Sequence, residues 1–127
     1  MKRAAVILII FMIVALFFAH IGEGFKPSPI YIKGIASWYS EDDPGILETT
    51  ANMEHFDDSG LTCAIWDVPF NTILKVTNLE NGKYVIVRVN DRGPAKRLDR
   101  TIDLTRATFS KIADLNKGLI EVSVEIM

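Results

Sequence analysis

The chain has 127 residues, 14 Lys and Arg against 16 Asp and Glu, a formal net charge of −2 and 49% hydrophobic residues. That length holds one domain, and a mildly acidic balance lacks the basic footprint of a nucleic-acid-binding protein. The lone cysteine, Cys63, has no partner for an intrachain disulfide and reads as a small buried hydrophobe; a domain of about 100 residues can be held by its core alone.

Met1-Lys2-Arg3 precedes an unbroken apolar run from Ala4 to Ala19. The run is shorter than the roughly 20 residues of a spanning helix and fits the apolar centre of a secretory signal. Residues 1–24 are expected to export the protein to the periplasm or cell surface. They act either as a signal cut before Phe25, after the small residues of Gly22-Glu23-Gly24, or as an uncleaved membrane anchor through residues 4–19. No Cys follows the run, so a lipid-anchored form is not expected. Without Lys2, Arg3 and Glu23 the remainder carries 12 basic and 15 acidic residues, a net charge near −3. Residues 25–30, with Pro27 and Pro29, read as an extended linker, and residues 31–127 as the domain.

Tyr31 to Ser40, rich in β-branched and aromatic residues, predicts a first strand. Glu41 to Gly60 is polar and aperiodic and reads as a long functional loop, with a short strand or turn near Thr49–Asn52. Leu61–Ile65 and Thr72–Thr77 are short strand candidates. Asn81-Gly82 signals a two-residue hairpin leading into Lys83–Asn90. Over Tyr84–Asp91, Val85, Val87 and Val89 share one parity. Asp91 falls on the same parity, so its carboxylate is expected on the core side before Arg92-Gly93-Pro94 breaks the strand. After a basic loop (Lys96, Arg97, Arg100), Thr101–Leu104 reads as a strand. Thr105 to Leu115 reads as a helix, with Thr105 as N-cap, Phe109, Ile112 and Ala113 on one face, and Gly118 as the following breaker. Ile120, Val122, Val124 and Ile126 alternate with polar residues in a last, half-buried strand. About six short strands and one short helix predict a mainly β fold closed into a small barrel.

Several segments resemble, in order, those of the rare lipoprotein A (RlpA) family: Gly34-Ile35-Ala36-Ser37-Trp38-Tyr39, Thr50-Ala51-Asn52-Met53-Glu54-His55-Phe56-Asp57, Pro69-Phe70-Asn71-Thr72, Val76-Thr77-Asn78-Leu79, Asn90-Asp91-Arg92-Gly93-Pro94 and Ile102-Asp103-Leu104-Thr105. Asn-Asp-Arg-Gly-Pro after a valine-rich strand is the most specific of these. The resemblance implies a six-stranded double-psi β-barrel, a fold also found in expansins, and lytic cleavage of peptidoglycan glycan strands, favouring strands stripped of stem peptides. It implies that the catalytic acid is Asp91 and that Glu54 supports it. The chain departs from the family where a histidine is expected, at Ile65, where the usual Gly is Met53, and in the loop Ser40 to Gly45.

Hydrolysis of a glycosidic bond usually takes two carboxylates. A lytic transglycosylase needs one acid–base group, because the muramic acid's own 6-hydroxyl attacks the anomeric carbon. A carboxylate at the rim of an apolar interior suits that role, since burial disfavours the charged form, whereas Arg88 and Arg92 nearby oppose it. Read without the resemblance, Asp91 caps a turn through Arg92 or the Gly93 amide. Trp38, Tyr39 and Trp66 are candidates for stacking on sugar faces, and Thr50, Asn52 and Arg92 complete the expected substrate-binding set. No metal or cofactor is expected: His20 lies in or beside the leader, His55 stands alone, and the Asp57-Asp58 pair lacks a ligand framework. The expected partner is the peptidoglycan glycan strand, with a monomer as the working unit. A second function class stays open, a non-catalytic, expansin-like module that binds and loosens wall polysaccharide.

Overall fold

A computed structural model describes residues 28–127, together with Met12 and Ile13 upstream. The expected leader over 1–24 (apart from those two residues) and linker residues 25–27 lie outside the described residues. Residues 28–127 fold as a closed six-stranded barrel of β1 (Tyr31–Tyr39), β2 (Thr62–Ala64), β3 (Ile73–Asn78), β4 (Tyr84–Asp91), β5 (Ile102–Thr105) and β6 (Ile120–Ile126). Around the barrel the order is β1-β5-β2-β4-β3-β6, returning to β1. The β1–β5 and β2–β4 pairs are parallel and the other four are antiparallel. Closure gives every strand two neighbours and leaves no edge to template association.

Alternation along the strands builds the interior. Ala36 from β1, Leu74 and Val76 from β3, Val87 and Val89 from β4, Ile102 and Leu104 from β5, and Val122 and Val124 from β6 are all essentially inaccessible. The helix α1 (Arg106–Ser110) follows β5 directly and buries Phe109, with Ile112 just beyond it, in the same cluster. Thr105 caps it as expected, its Oγ1 accepting from the Thr108 N–H at 3.2 Å and donating to the Gly60 carbonyl at 2.6 Å.

Two elements differ from the sequence reading. The helix ends at Ser110, not Leu115; a separate 3₁₀ turn occupies Leu115–Lys117, and Gly118 (φ 66) ends that turn. The cause is tertiary: the Ile112 carbonyl is taken by Asn78 Nδ2 (2.8 Å) and Asn81 Nδ2 (2.9 Å) from the β3–β4 connection. That connection is itself longer than a two-residue hairpin. Thr77 pairs with Tyr84, and Gly82 N–H bonds the Asn78 carbonyl at 2.8 Å. Asn78 Oδ1 accepts from Glu80 N–H and its Nδ2 from β3 reaches α1's exit, so the side chain stabilises a wider turn than the Asn-Gly pair alone would select.

Gly34 lies where β1 crosses Thr101; a Cβ added there would stand 1.8 Å from Thr101 Oγ1 and 2.7 Å from its Cβ. Gly34→Ala is therefore expected to destabilise the domain by about 2 kcal/mol through overpacking, read as a lower urea midpoint with an unchanged m-value.

Candidate functional site

The site forms where the ends of β1 and β4 meet the long 41–60 loop. Within that loop, Thr49 and His55 form an antiparallel bridge, and Thr50 N–H bonds the Glu54 carbonyl at 2.8 Å. This small hairpin lies at the expected turn near Thr49–Asn52. Its Asn52 N–H docks on the Asn90 carbonyl of β4 at 3.3 Å, so the loop is fixed to the barrel beside Asp91.

Asp91 does not point into the barrel core as its parity predicted. The β2–β4 pairing shifts register between Cys63 and Ala64, so that Cys63 faces Val89 but Ala64 faces Asp91. This bulge takes Asp91 off the valine face. Val89 and Asn90 are both buried, while Asp91 is half-buried. Its Oδ1 accepts two backbone N–H bonds, from Ala51 and from Arg92, both at 2.9 Å. Its Oδ2 faces the Tyr39 hydroxyl at 3.3 Å. The Arg92 amide contact is the turn cap read from sequence, and the Ala51 and Tyr39 contacts add distant parts of the chain to it. Tyr39 lies against Phe56, ring centroids 4.6 Å apart, in a small apolar cluster with Ala64 beneath the loop. Burial, and then the Asp91 charge, push the Tyr39 hydroxyl well above its ordinary pKa, so it remains a proton donor to Asp91.

Glu54, two residues beyond Asn52 in that hairpin, is held by a different set of partners. Arg88 grips it with both guanidinium nitrogens, at 2.6 and 2.9 Å. Asn52 Nδ2 (2.9 Å) and Asn90 Nδ2 (3.2 Å) complete its shell. These hydrogen bonds, the Arg88 contact foremost, lower the Glu54 pKa to about 2. Arg88 also donates to Asn71 Oδ1 at 2.9 Å, and Asn90 Oδ1 is buried with no partner among the described residues. Thr50 Oγ1 donates to Asn52 Oδ1 at 2.6 Å, which fixes the amide that meets Glu54. Neither arginine extends its guanidinium to Asp91: Arg88 is committed to Glu54, and Arg92 lies 3.8 Å over the Phe70 ring with NH1 on the Ile65 carbonyl.

The expected residues separate in this geometry. Asp91, Glu54, Tyr39, Thr50 and Asn52 come together. Tyr39 and Thr50 are buried and serve as supports, with no ring face or hydroxyl open to a sugar. Trp38 is on the other parity of β1, packs against the main core and ties its indole N–H to the Leu115 carbonyl at 3.1 Å. Trp66 is 38% exposed, its indole N–H fixed on the Pro94 carbonyl at 2.7 Å, beside a hollow of about 580 Å³ that Lys96 and Arg100 also line. Ile65, at the position of the expected histidine, packs in the main core at 3% exposure.

Sequence reasoning passed over Asp103 as a site residue. Ala64 of β2 faces Asp91 on one side and Asp103 on the other, which sets two carboxylates on one patch of the barrel wall. Ser37 Oγ donates to Asp103 Oδ1, and burial raises the Asp103 pKa above the usual carboxylate value against the lowering effect of that bond. A signal was present: it is the one acid in the otherwise apolar and β-branched Ile102-Asp103-Leu104-Thr105. Among the described residues, Glu41, Asp57 and Asp58 bring carboxylate oxygens within 4.8 Å of one another as a cation would require. Reciprocal amide bonds between Glu41 and Asp58, and Arg106 at 3.6 Å from Asp58, already account for this grouping.

A family profile described as lytic transglycolase matches residues 31–124, from the start of β1 into β6. The Campylobacter jejuni endolytic peptidoglycan transglycosylase RlpA is 45% identical over 110 residues, covering 84% of this chain and 39% of that protein. The probable Treponema pallidum counterpart is 39% identical over 123 residues, covering 97% and 36%. The Pseudomonas aeruginosa RlpA is 47% identical over 92 residues, covering 72% and 26%. The chain thus spans well under half the length of these relatives. Among solved structures, the Streptomyces papain inhibitor superposes with a TM-score of 0.60 at 25% identity, covering 76% of this chain and 93% of its own. A Clavibacter michiganensis expansin also reaches 0.60, at 20% identity, covering 77% and 51%, which is a likeness of fold. The closed mixed barrel, the loop hairpin bonded to Asn90 and Asp91 at the end of β4, and the match across residues 31–124 have a common explanation: this chain belongs to the RlpA-like double-psi β-barrel family of lytic transglycolases.

Proposed function

We propose that this domain is an exported lytic transglycosylase that cuts peptidoglycan glycan strands with Asp91 as its single acid–base group. The observation that carries the reading is that the two acids are held differently. Glu54 is held as a carboxylate by Arg88, Asn52 and Asn90, whereas among the described residues Asp91 meets only uncharged donors, the Ala51 and Arg92 amides and the Tyr39 hydroxyl. The identity to relatives named as endolytic peptidoglycan transglycosylases supports the substrate class.

In the first half-reaction protonated Asp91 gives its proton to the glycosidic oxygen, and the bond from that oxygen to the muramyl anomeric carbon breaks. In the second, the 6-hydroxyl of the same muramyl unit attacks that carbon and its proton passes to Asp91. A 1,6-anhydro end is left, no water is consumed, and Asp91 returns to its starting state. The Ala51 and Arg92 amides hold one oxygen of Asp91 in place, which leaves the oxygen facing Tyr39 to carry the proton. Arg88 and Glu54 keep the adjoining hairpin, and so the Ala51 amide, at a fixed position. Residues 4–19 direct export, and the domain acts as a monomer.

A second reading, an expansin-like module that loosens wall polysaccharide without cutting it, draws on Ile65. A buried isoleucine supplies no proton or hydrogen bond to the site.

Asp91→Asn should abolish cleavage, with a loss of roughly 10²–10⁴ in rate, while retaining fold and glycan binding. The assay is anhydromuramyl products from intact and amidase-treated sacculi by mass spectrometry. Wild-type turnover that survives this change rejects Asp91 as the acid, and binding without turnover in the wild type favours the second reading. Glu54→Gln should cut activity less.

Because the folded Glu54 pKa is depressed, the stability it confers is present above its ordinary value of 4.5 and lost as pH falls toward about 2. The denaturation midpoints of wild type and Glu54→Gln should therefore differ at neutral pH and converge near pH 2. The gap should be about 1 kcal/mol or less for so exposed a pair. Ile65→His should not restore a family-like site. It places an imidazole in the core, and a loss of about 2 kcal/mol in urea unfolding is expected.

A further inference from the structure

Met53 stands at the tip of the Thr49–His55 hairpin with its backbone in the left-handed region, φ 71, and its side chain 82% exposed. Neither feature helps the isolated domain. A residue with a Cβ is disfavoured in that conformation relative to glycine, and a thioether in water gains no burial. The turn is not slack. Met53 N–H bonds the Thr50 carbonyl at 3.0 Å, Thr50 Oγ1 bonds Asn52 Oδ1 at 2.6 Å, and Glu54 on the other side is locked to Arg88. Two residues earlier, Ala51 gives its N–H to Asp91. An apolar side chain is thus held outward by a rigid turn that also bonds Asp91, at a backbone position that glycine would occupy without strain. Strain kept next to a reactive group points to a use in the complex.

We propose that Met53 is a specificity residue that packs on the methyl of a 2-acetamido group of the glycan lying beside Asp91, an inference that rests on the glycan reading above. A polysaccharide edge is mostly hydroxyl. On this polymer the small apolar projections are the acetamido methyl and the lactyl methyl of muramic acid. A slender, polarisable, unbranched side chain suits a methyl better than a flat sugar face, which calls for an aromatic ring. The acetamido methyl is on every sugar and passes Met53 whichever register the strand takes, while the lactyl methyl is on alternate sugars. Removing the acetyl group exposes an ammonium, which Met53 would have to desolvate without a partner.

The test measures affinity for isolated glycan strands, fully N-acetylated or chemically N-deacetylated, on the Asp91→Asn background so that no strand is cut. Met53→Gly removes the side chain and the strain; Met53→Gln keeps the Cβ, the length and the left-handed backbone but loses the apolar surface. Both variants should bind acetylated strands roughly fourfold more weakly, the effect of about one buried methyl, and should match their parent on deacetylated strands. Met53→Gly should also raise the thermal midpoint, and Met53→Gln should not. Unchanged affinity of both variants for acetylated strands overturns the proposal. An equal loss on deacetylated strands also overturns it, and assigns the contact to the lactyl methyl. Acetyl-dependent binding without anhydromuramyl products from the wild type would sink the cleavage reading and leave the role of Met53 standing.

Discussion

The placing of Asp91 depends on one irregularity in the barrel, the register shift that sets Ala64 of β2 opposite Asp91 instead of Asn90. A strand of regular pleat would have sent Asp91 in with Val85, Val87 and Val89, into an interior with no partner for a carboxylate. The extra residue on β4 turns it onto the barrel wall, where Tyr39 and the 49–55 hairpin reach it. Because β2 has only three residues and pairs with both β4 and β5, the same Ala64 also brings Asp103 to that wall. Ala64 also lies beside the glycine after Arg92, where a Cβ added at Gly93 would meet Ala64 Cβ at 3.5 Å, an ordinary contact.

The second level of order is the polar network that fastens the hairpin. Thr50, Asn52, Glu54, Arg88 and the Asn90 side-chain amide nitrogen are hydrogen-bonded in a chain that runs from the loop to β4. A carboxylate in that chain is more useful charged, since each donor around it favours the ionised form. Glu54 is thereby held charged and ties the loop carrying Ala51 to β4. Asp91 is held instead by uncharged N–H and O–H groups. Met53, on the same clamped turn, inherits its rigidity.

The departures from the family pattern have different physical consequences. Ile65 replaces a group that can ionise by one that packs, and its burial with Val68 in the core shows what the barrel gains from it. Met53 in place of glycine has the opposite sign, since the fold gains nothing from it. The altered loop after Tyr39 stays anchored by Ser40 N–H on Asp43 Oδ2 at 2.9 Å and by the paired amide bonds of Glu41 and Asp58.

The sequence by itself determined the strands and their inward faces, because alternation of β-branched residues over β4 and β6 allows only one side to be buried. It also determined the Thr105 cap, the barrel class, and the nearness of Asp91 and Glu54 through their motifs. It did not determine where Asp91 points, since parity counts residues and a bulge adds one that only the partner strand reveals. It did not determine that Tyr39 supports Asp91 while Trp38, one residue earlier, belongs to the core, nor that α1 stops at Ser110 because Asn78 and Asn81 claim the carbonyl of Ile112. Asp103 was readable as an acid among apolar neighbours, but its place beside Asp91 is a product of β5 and β4 flanking β2. Local pattern reports what one segment prefers to bury; the site is made by pairings between segments 26 to 52 residues apart, such as Ile65 with Asp91 and Tyr39 with Asp91, and those exist only once the barrel closes.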